Sequence, residues 1–280
     1  MSTDTAPRVL MCPPTHFAVD YEINPWMAGQ LGSADASRAT RQWQELHALV
    51  SDVATVELID PMSGLPDMVF TANAGLIYRG RAVPSHFRHA ERAGEEPHFT
   101  RWFAERDFDV TSLDIEFEGA GDALFDRAAS RLWFGHGHRS DARAATALQA
   151  WLGDEVDVVP LRLVDPRFYH LDTCLCPLAG GQLMYFPAAF DAQANAAIEA
   201  RVPAELRIAV GEADAMAFAC NAVNLGETVI VNRASDTLEK QLARHGYRLR
   251  ATPLDEFLKA GGSAKCLTLR LDEPGLRTAA

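Results

Sequence analysis

A chain of 280 residues with 48% hydrophobic and 23% charged residues can bury a substantial core, and its formal charge of −12 argues against a nucleic-acid partner, which needs clustered Lys and Arg. The opening MSTDTAPRVLM lacks the basic start and apolar run of a secretory leader, and no window approaches the roughly eighteen apolar residues of a membrane span. The expectation is a cytoplasmic protein with no membrane partner; the acidic balance is weakly compatible with a small cationic substrate.

Apolar spacing at the helical period predicts helices over 34–50, 95–107, 140–153, 191–202 and 235–246. Ser140, Asp191 and Ser235 are the expected N-caps, and Gly153 and Gly246 the expected stops. Between the helices lie strand-like runs broken by glycine, among them MVFTANAGLIYRGRAVP, RLWFGHGH, GGQLMYFP and ETVIVN. The repeating unit is two or three short strands and one helix, and five such units can be counted without a Pro-, Gly- or Ser-rich linker between them. One domain over 1–280, α/β and built by fivefold pseudo-repetition, is the economical reading, with a doubly wound sheet as the alternative.

Five cysteines (Cys12, Cys174, Cys176, Cys220 and Cys266) cannot all pair within one chain, and reduced thiols are expected. PDMVFTANAGLI, 66–77, reads as an apolar strand interrupted by Asn73, whose amide both donates and accepts. Arg92 and Arg139 follow strands and could each clamp a carboxylate. In IEFEGAGDALF, 115–125, Glu118 and Asp122 flank small residues that let a cation approach. If FYHLDTCLCP, 168–177, is extended, His170, Asp172, Cys174 and Cys176 share one face. A metal site built from these four is disfavoured, because alternate strand residues lie about 6.6 Å apart and zinc ligands must lie within about 4 Å of one another. Core packing is the preferred reading for Cys174 and Cys176. In GGSAKCLTLRL, 261–271, a glycine-rich lead-in delivers Cys266 to a strand with backbone amides nearby, a setting in which a thiol can serve as a nucleophile. Taken singly, each stretch reads as well as a turn, a core residue or a surface charge.

Taken in order, MCPPTHFAVDYEINPWM, FTAN, EGAGD, HRSD, HLD and KCLTLRL resemble the guanidine-modifying superfamily of arginine deiminases, amidinotransferases, dimethylarginine dimethylaminohydrolases and bacterial arginine dihydrolases, over nearly the whole chain. The resemblance implies a five-bladed pseudo-symmetric α/β propeller, the pentein fold, of strand-strand-helix-strand units. It implies Cys266 as nucleophile, His170 as general acid/base, Glu118 and Asp172 as the carboxylates that hold a guanidinium, Arg92 and Arg139 as grips on the substrate carboxylate, and Asn24 as a further contact. Asn73 stands where arginine deiminases generally carry Asp, and TAN resembles the arginine dihydrolase and succinylarginine dihydrolase subgroups.

The expected activity is therefore cofactor-free and metal-free hydrolysis of free arginine through a covalent thiouronium, continuing through citrulline to ornithine, carbon dioxide and ammonia. A neutral ureido group is met better by the Asn73 amide than by a carboxylate, which only accepts. Dimethylarginine hydrolysis to citrulline and dimethylamine is the alternative, and a non-catalytic arginine-binding module the reading from another class. A homo-oligomer stays open.

Overall fold

The structure, a computed structural model, describes residues 6–274. Its strands, in chain order, are β1 Arg8–Met11 and β2 Thr55–Leu58; β3 Gly75–Tyr78, β4 Arg81–Pro84 and β5 Asp109–Val110; β6 Ala123–Phe125, β7 Arg131–His136 and β8 Asp157–Arg162; β9 Leu175–Pro177, β10 Leu183–Tyr185 and β11 Arg207–Ala209; β12 Val223–Leu225, β13 Thr228–Val231 and β14 Arg248–Ala251; and β15 Leu269–Arg270. They form five three-stranded sheets in the orders β15-β1-β2, β3-β4-β5, β6-β7-β8, β9-β10-β11 and β12-β13-β14. In each sheet the first two strands pair antiparallel and the last two parallel.

A parallel pair needs a crossover, and a helix supplies it in every blade: Ala36–Ser51, Glu96–Ala104, Ala144–Leu152, Ala192–Arg201 and Asp236–Arg244. These are the five helices the periodicity predicts, shortened by up to four residues at an end. The result is the five-bladed α/β propeller of strand-strand-helix-strand units. The first blade is completed from the far end of the chain, with Val9 opposite Arg270 and Leu10 opposite Leu269.

The order of strands within a blade follows their composition. Inner strands such as GLIY of β3 and ALF of β6 are apolar runs buried at every position, whereas outer strands such as RLRA of β14 face solvent. Asp191 and Ser235 cap their helices by accepting from the backbone N–H of Ala194 and Leu238. Ser140 does not cap: its helix begins at Ala144, and its hydroxyl turns inward instead. Among the described residues no helix is long and apolar enough to cross a membrane.

Candidate active site

Each inner strand is entered through a short turn, and these turns with the residues that flank them carry most of the chemistry-bearing side chains. They are 71–74 before β3, 119–121 before β6, 171–173 before β9, 217–220 before β12 and 264–267 before β15. The single strands read into 66–77 and 168–177 are therefore corrected. Residues Pro66–Val69, Thr71–Ala74 and Leu171–Thr173 are 3₁₀ turns, and extended structure starts only at Gly75 and Leu175. His170, Asp172, Cys174 and Cys176 consequently do not share one strand face. The Cys174 thiol points back at the carbonyls of His170 and Leu171, and Cys176 points at that of Ala222, both inside the apolar core.

Cys266 is 3% exposed. Its Sγ donates to Asp172 Oδ2 over 3.4 Å and accepts from the Asn221 side-chain amide at 3.1 Å. Burial, and then the charge of Asp172, push the thiol well above its ordinary range, so the free protein carries it protonated. The two glycines ahead of it are demanded by close approach. Gly261 is left-handed, with φ 81°, and a Cβ there would lie 2.7 Å from the Tyr169 hydroxyl and 2.8 Å from Asn24 Oδ1; a Cβ on Gly262 would run into the Phe70 ring.

His170 Nε2 lies 2.7 Å from Glu118 Oε2, which also accepts from Arg139 Nη1 at 2.9 Å. Burial works to raise the Glu118 carboxyl, but Arg139, His170 and Arg92 outweigh it and hold it well below the usual carboxylate range. Asp172 has no such cationic cage. Burial lifts it to about 6, with the charge of Lys265 only partly opposing. Asp122 is likewise lifted by burial to about 6, and it organises the neighbourhood by accepting from the Ser140 hydroxyl at 2.7 Å and the Leu171 N–H at 3.0 Å. The same Ser140 hydroxyl accepts from Glu118 N–H at 3.0 Å.

Asn73 joins this group through defined bonds. Its Oδ1 accepts from Arg92 Nη1 at 2.9 Å and its Nδ2 donates to the Glu118 carbonyl at 3.1 Å. An arginine can only donate and a carbonyl only accept, so the amide has one orientation. A Cβ at Gly121 would collide with Asn73 Nδ2 and touch the His170 ring at 3.4 Å, which places amide and imidazole side by side across that glycine. The Asn73 turn is tied to the nucleophile's turn by Ala72 N–H donating to the Cys266 carbonyl at 3.0 Å.

Arg92, Arg139 and Asn24 lie in or beside the same cluster, each engaged by protein groups. Arg92 forks onto Glu95 at 2.9 and 2.8 Å and also reaches the Asp67 carbonyl at 3.2 Å. Arg139 lies over the Tyr169 ring at 4.6 Å and donates to the Ile23 carbonyl at 3.1 Å. Asn24 caps the turn Pro25–Met27 and donates to the Ala260 carbonyl at 3.0 Å. Sequence reasoning missed Asn221, Ser140 and Glu95. Asn221 had a signal available: it precedes β12 by two residues, as Asn73 precedes β3, so aligning the repeats on their inner strands would have found it. Among the described residues no three His, Cys, Asp or Glu side chains group as a metal site.

Residues 14–272 match the family model described as N,N dimethylarginine dimethylhydrolase, eukaryotic. Two bifunctional arginine dihydrolase/ornithine cyclodeaminases are similar over 95% of this chain: ArgZ of Synechocystis sp. at 55% identity and AgrE of Nostoc sp. at 53%. The chain spans 38% of the length of each. A crystal structure of the ArgZ N-terminal domain, an asparagine-to-serine variant covalently bound to a reaction intermediate, superposes with a TM-score of 0.94 at 54% identity, covering 96% of this chain and 99% of that one.

Proposed function

The chain belongs to the N,N dimethylarginine dimethylhydrolase family, and from its likeness within that family to the two arginine dihydrolases we propose that it is a cofactor-independent hydrolase of free arginine, an arginine dihydrolase that carries arginine to ornithine, carbon dioxide and ammonia. The observation that carries this reading is the pairing of a buried thiol with Asp172 and a buried imidazole with Glu118, with the Asn73 amide beside the imidazole.

In this mechanism Asp172 and Glu118 orient the guanidinium, whose delocalised charge makes it a poor electrophile until it is held. The bound cation adds positive charge to that of Lys265 beside Cys266 and shifts the thiol toward thiolate. Sulfur attacks the guanidinium carbon, a C–S bond forms, and the C–N bond breaks as His170 protonates the departing nitrogen, which leaves as ammonia. Water then adds to the thiouronium carbon, giving up a proton to His170, and the C–S bond breaks with its electron pair returning to sulfur. The product is citrulline. A second round on the ureido group releases the second ammonia and, after loss of carbon dioxide, ornithine.

Asn73 is the proposed determinant of that second round, since its remaining N–H can donate to a neutral ureido oxygen where a carboxylate could not. The covalent intermediate held by an asparagine-to-serine variant of ArgZ supports a role for an asparagine in turnover of such an adduct. Arg139 and Arg92 are proposed to meet the substrate carboxylate, Arg92 while also bracing Asn73, and Asn24 to hold the lead-in to Cys266 at the substrate's edge.

The alternative, dimethylarginine hydrolysis to citrulline and dimethylamine, is favoured by the family description. One experiment separates the two: incubation with arginine, citrulline and dimethylarginine in parallel, with products identified by mass. Ornithine from both arginine and citrulline supports the dihydrolase; dimethylamine release with arginine untouched would replace it with the alternative.

A further inference from the structure

Asn221 belongs to none of the motifs in the sequence, yet every hydrogen-bonding position of its side chain is spent on the nucleophile's surroundings. Its Oδ1 accepts the backbone N–H of Lys265 at 3.0 Å and of Cys266 at 3.2 Å. Its Nδ2 donates to the Asp172 carbonyl at 3.0 Å and to Cys266 Sγ at 3.1 Å. Two backbone N–H groups and one backbone carbonyl leave no freedom to flip the amide, so a donor is aimed at sulfur by construction. The residue has no solvent exposure, and no water competes for that contact.

We infer that Asn221 is a positioning residue that holds Cys266 Sγ by a fixed N–H donor and thereby stabilises sulfur whenever it carries negative charge. The consequence for catalysis rests on the hydrolase reading above. Sulfur is anionic twice in that cycle, before it attacks and again when the C–S bond breaks and the electron pair returns to it. In the thiouronium between those moments its lone pair is drawn toward carbon, and the same N–H bond is weaker. Asn221 therefore favours both the attacking thiolate and the departing one over the covalent state. The need is physical, because Asp172 lies 3.4 Å from the sulfur and repels a thiolate, while the other charged or titratable groups near it are Lys265 and Tyr169. A hydrogen bond to a charged group contributes more than one to a neutral group.

The test compares the parent with Asn221→Ala and Asn221→Asp. Iodoacetamide labelling of Cys266 is followed against pH by peptide mass, with circular dichroism reporting the fold. The Ala variant should show about a tenfold smaller thiolate population at a given pH, the size expected for one charge-assisted bond. The Asp variant should be worse, since it keeps the two accepted N–H bonds and turns an oxygen toward sulfur. With arginine, both should accumulate a substrate-sized adduct on Cys266, because the sulfur departs without its donor. A folded Ala variant with the parent's labelling profile overturns the inference. Should neither variant fold, the parent decides it: with ¹⁵N-labelled asparagine, alkylating Cys266 must shift one side-chain amide proton of Asn221, and an unmoved resonance overturns it. Failure of the hydrolase reading would show separately, as absent turnover by the parent, while the labelling comparison would still decide the role of Asn221.

Discussion

Glu118 and Asp172 carry the same functional group, have no solvent exposure, and sit at the turns that lead into β6 and β9, yet their surroundings treat their charge in opposite ways. Glu118 lies between Arg139 at 2.9 Å and the His170 ring at 2.7 Å, and those partners overcome burial and hold it ionised. Asp172 faces a thiol, and burial lifts it to about 6. Glu118 is thus an anion already compensated by the protein, while Asp172 is one that Lys265 compensates only in part. A cation arriving from solution gains most beside Asp172, which is also beside the sulfur that would attack it. Burial alone predicts the raised Asp172 but not the depressed Glu118, where the cationic partners decide.

The sulfur side is where the contrast can be broken most completely. Cys266→Ser should lower ornithine release by at least about a thousandfold while circular dichroism stays unchanged, since an alcohol beside Asp172 has no accessible anion to attack with. Turnover near the parent's rate would remove the covalent reading and with it the significance of a partly compensated Asp172. On the Glu118 side, His170→Ala should still bind arginine by calorimetry but turn over roughly a hundred- to ten-thousandfold more slowly, as both the departing nitrogen and the incoming water need a proton carrier. Equal loss of binding and rate would mean that His170 and Glu118 act as a binding element only.

Asn73 sharpens the comparison, because it joins the Glu118 side through the Glu118 carbonyl. Asn73→Asp should accumulate citrulline from arginine, with the first half-reaction surviving better than the second, read as the citrulline-to-ornithine ratio by mass. The structure adds a cost not visible in the sequence: a carboxylate there would face the Glu118 carbonyl with no donor, so both rates should fall. An unchanged product ratio would detach Asn73 from the ureido step.

The smallest effect is on stability against pH. Asp172 has its pKa raised from 3.8 to about 6, so its ionisation opposes folding; that penalty is absent below pH 3.8 and complete above pH 6. Asp172→Asn should therefore raise the thermal midpoint at pH 8, by a stabilisation on the order of 2 kcal/mol, and the gain should shrink as pH falls toward 4. Glu118 is depressed below 4.5, so it stabilises at every pH above that value, and Glu118→Gln should lower the midpoint by a similar margin at pH 5 and pH 8. Parallel pH profiles for the two variants would mean that the two carboxylates are not differently compensated.

Much of this was legible in the residues. Helical periodicity located all five crossover helices, because their apolar faces pack on the sheets, and counting units gave the fivefold repetition, while the propeller itself came from the family resemblance. Cys266, His170, Glu118, Asp172 and Asn73 each stand at or beside a break in an apolar run, but only the ordered resemblance to a known family singled them out as site residues. The breaks were misread in kind. A 3₁₀ turn such as LDT or TANA is too short to show a periodicity in three or four positions, so it merged with the strand that follows. Ser140 looked like a cap because a serine ahead of an alanine-rich run usually is one; only the fold brings Asp122 within 2.7 Å of it. The arginines were read as free clamps because their partners lie in other turns, apart from Glu95, whose pairing with Arg92 within one helical turn could have been seen.

The first blade borrows its inner strand from the other end of the sequence, β15 lying against β1. During biosynthesis, residues 1 to about 180 leave the ribosome with Glu118, Arg139 and His170 among them, long before residue 266 exists. A nascent chain can therefore assemble its acid/base half before the cysteine of the sulfur half is present. The turn that carries the sulfur leads directly into the strand whose pairing closes the ring, so ring closure and placement of the sulfur are linked. A chain that fails to complete the first blade carries a solvent-accessible cysteine and an unpaired β1 edge, two features by which quality control can tell it from the finished molecule.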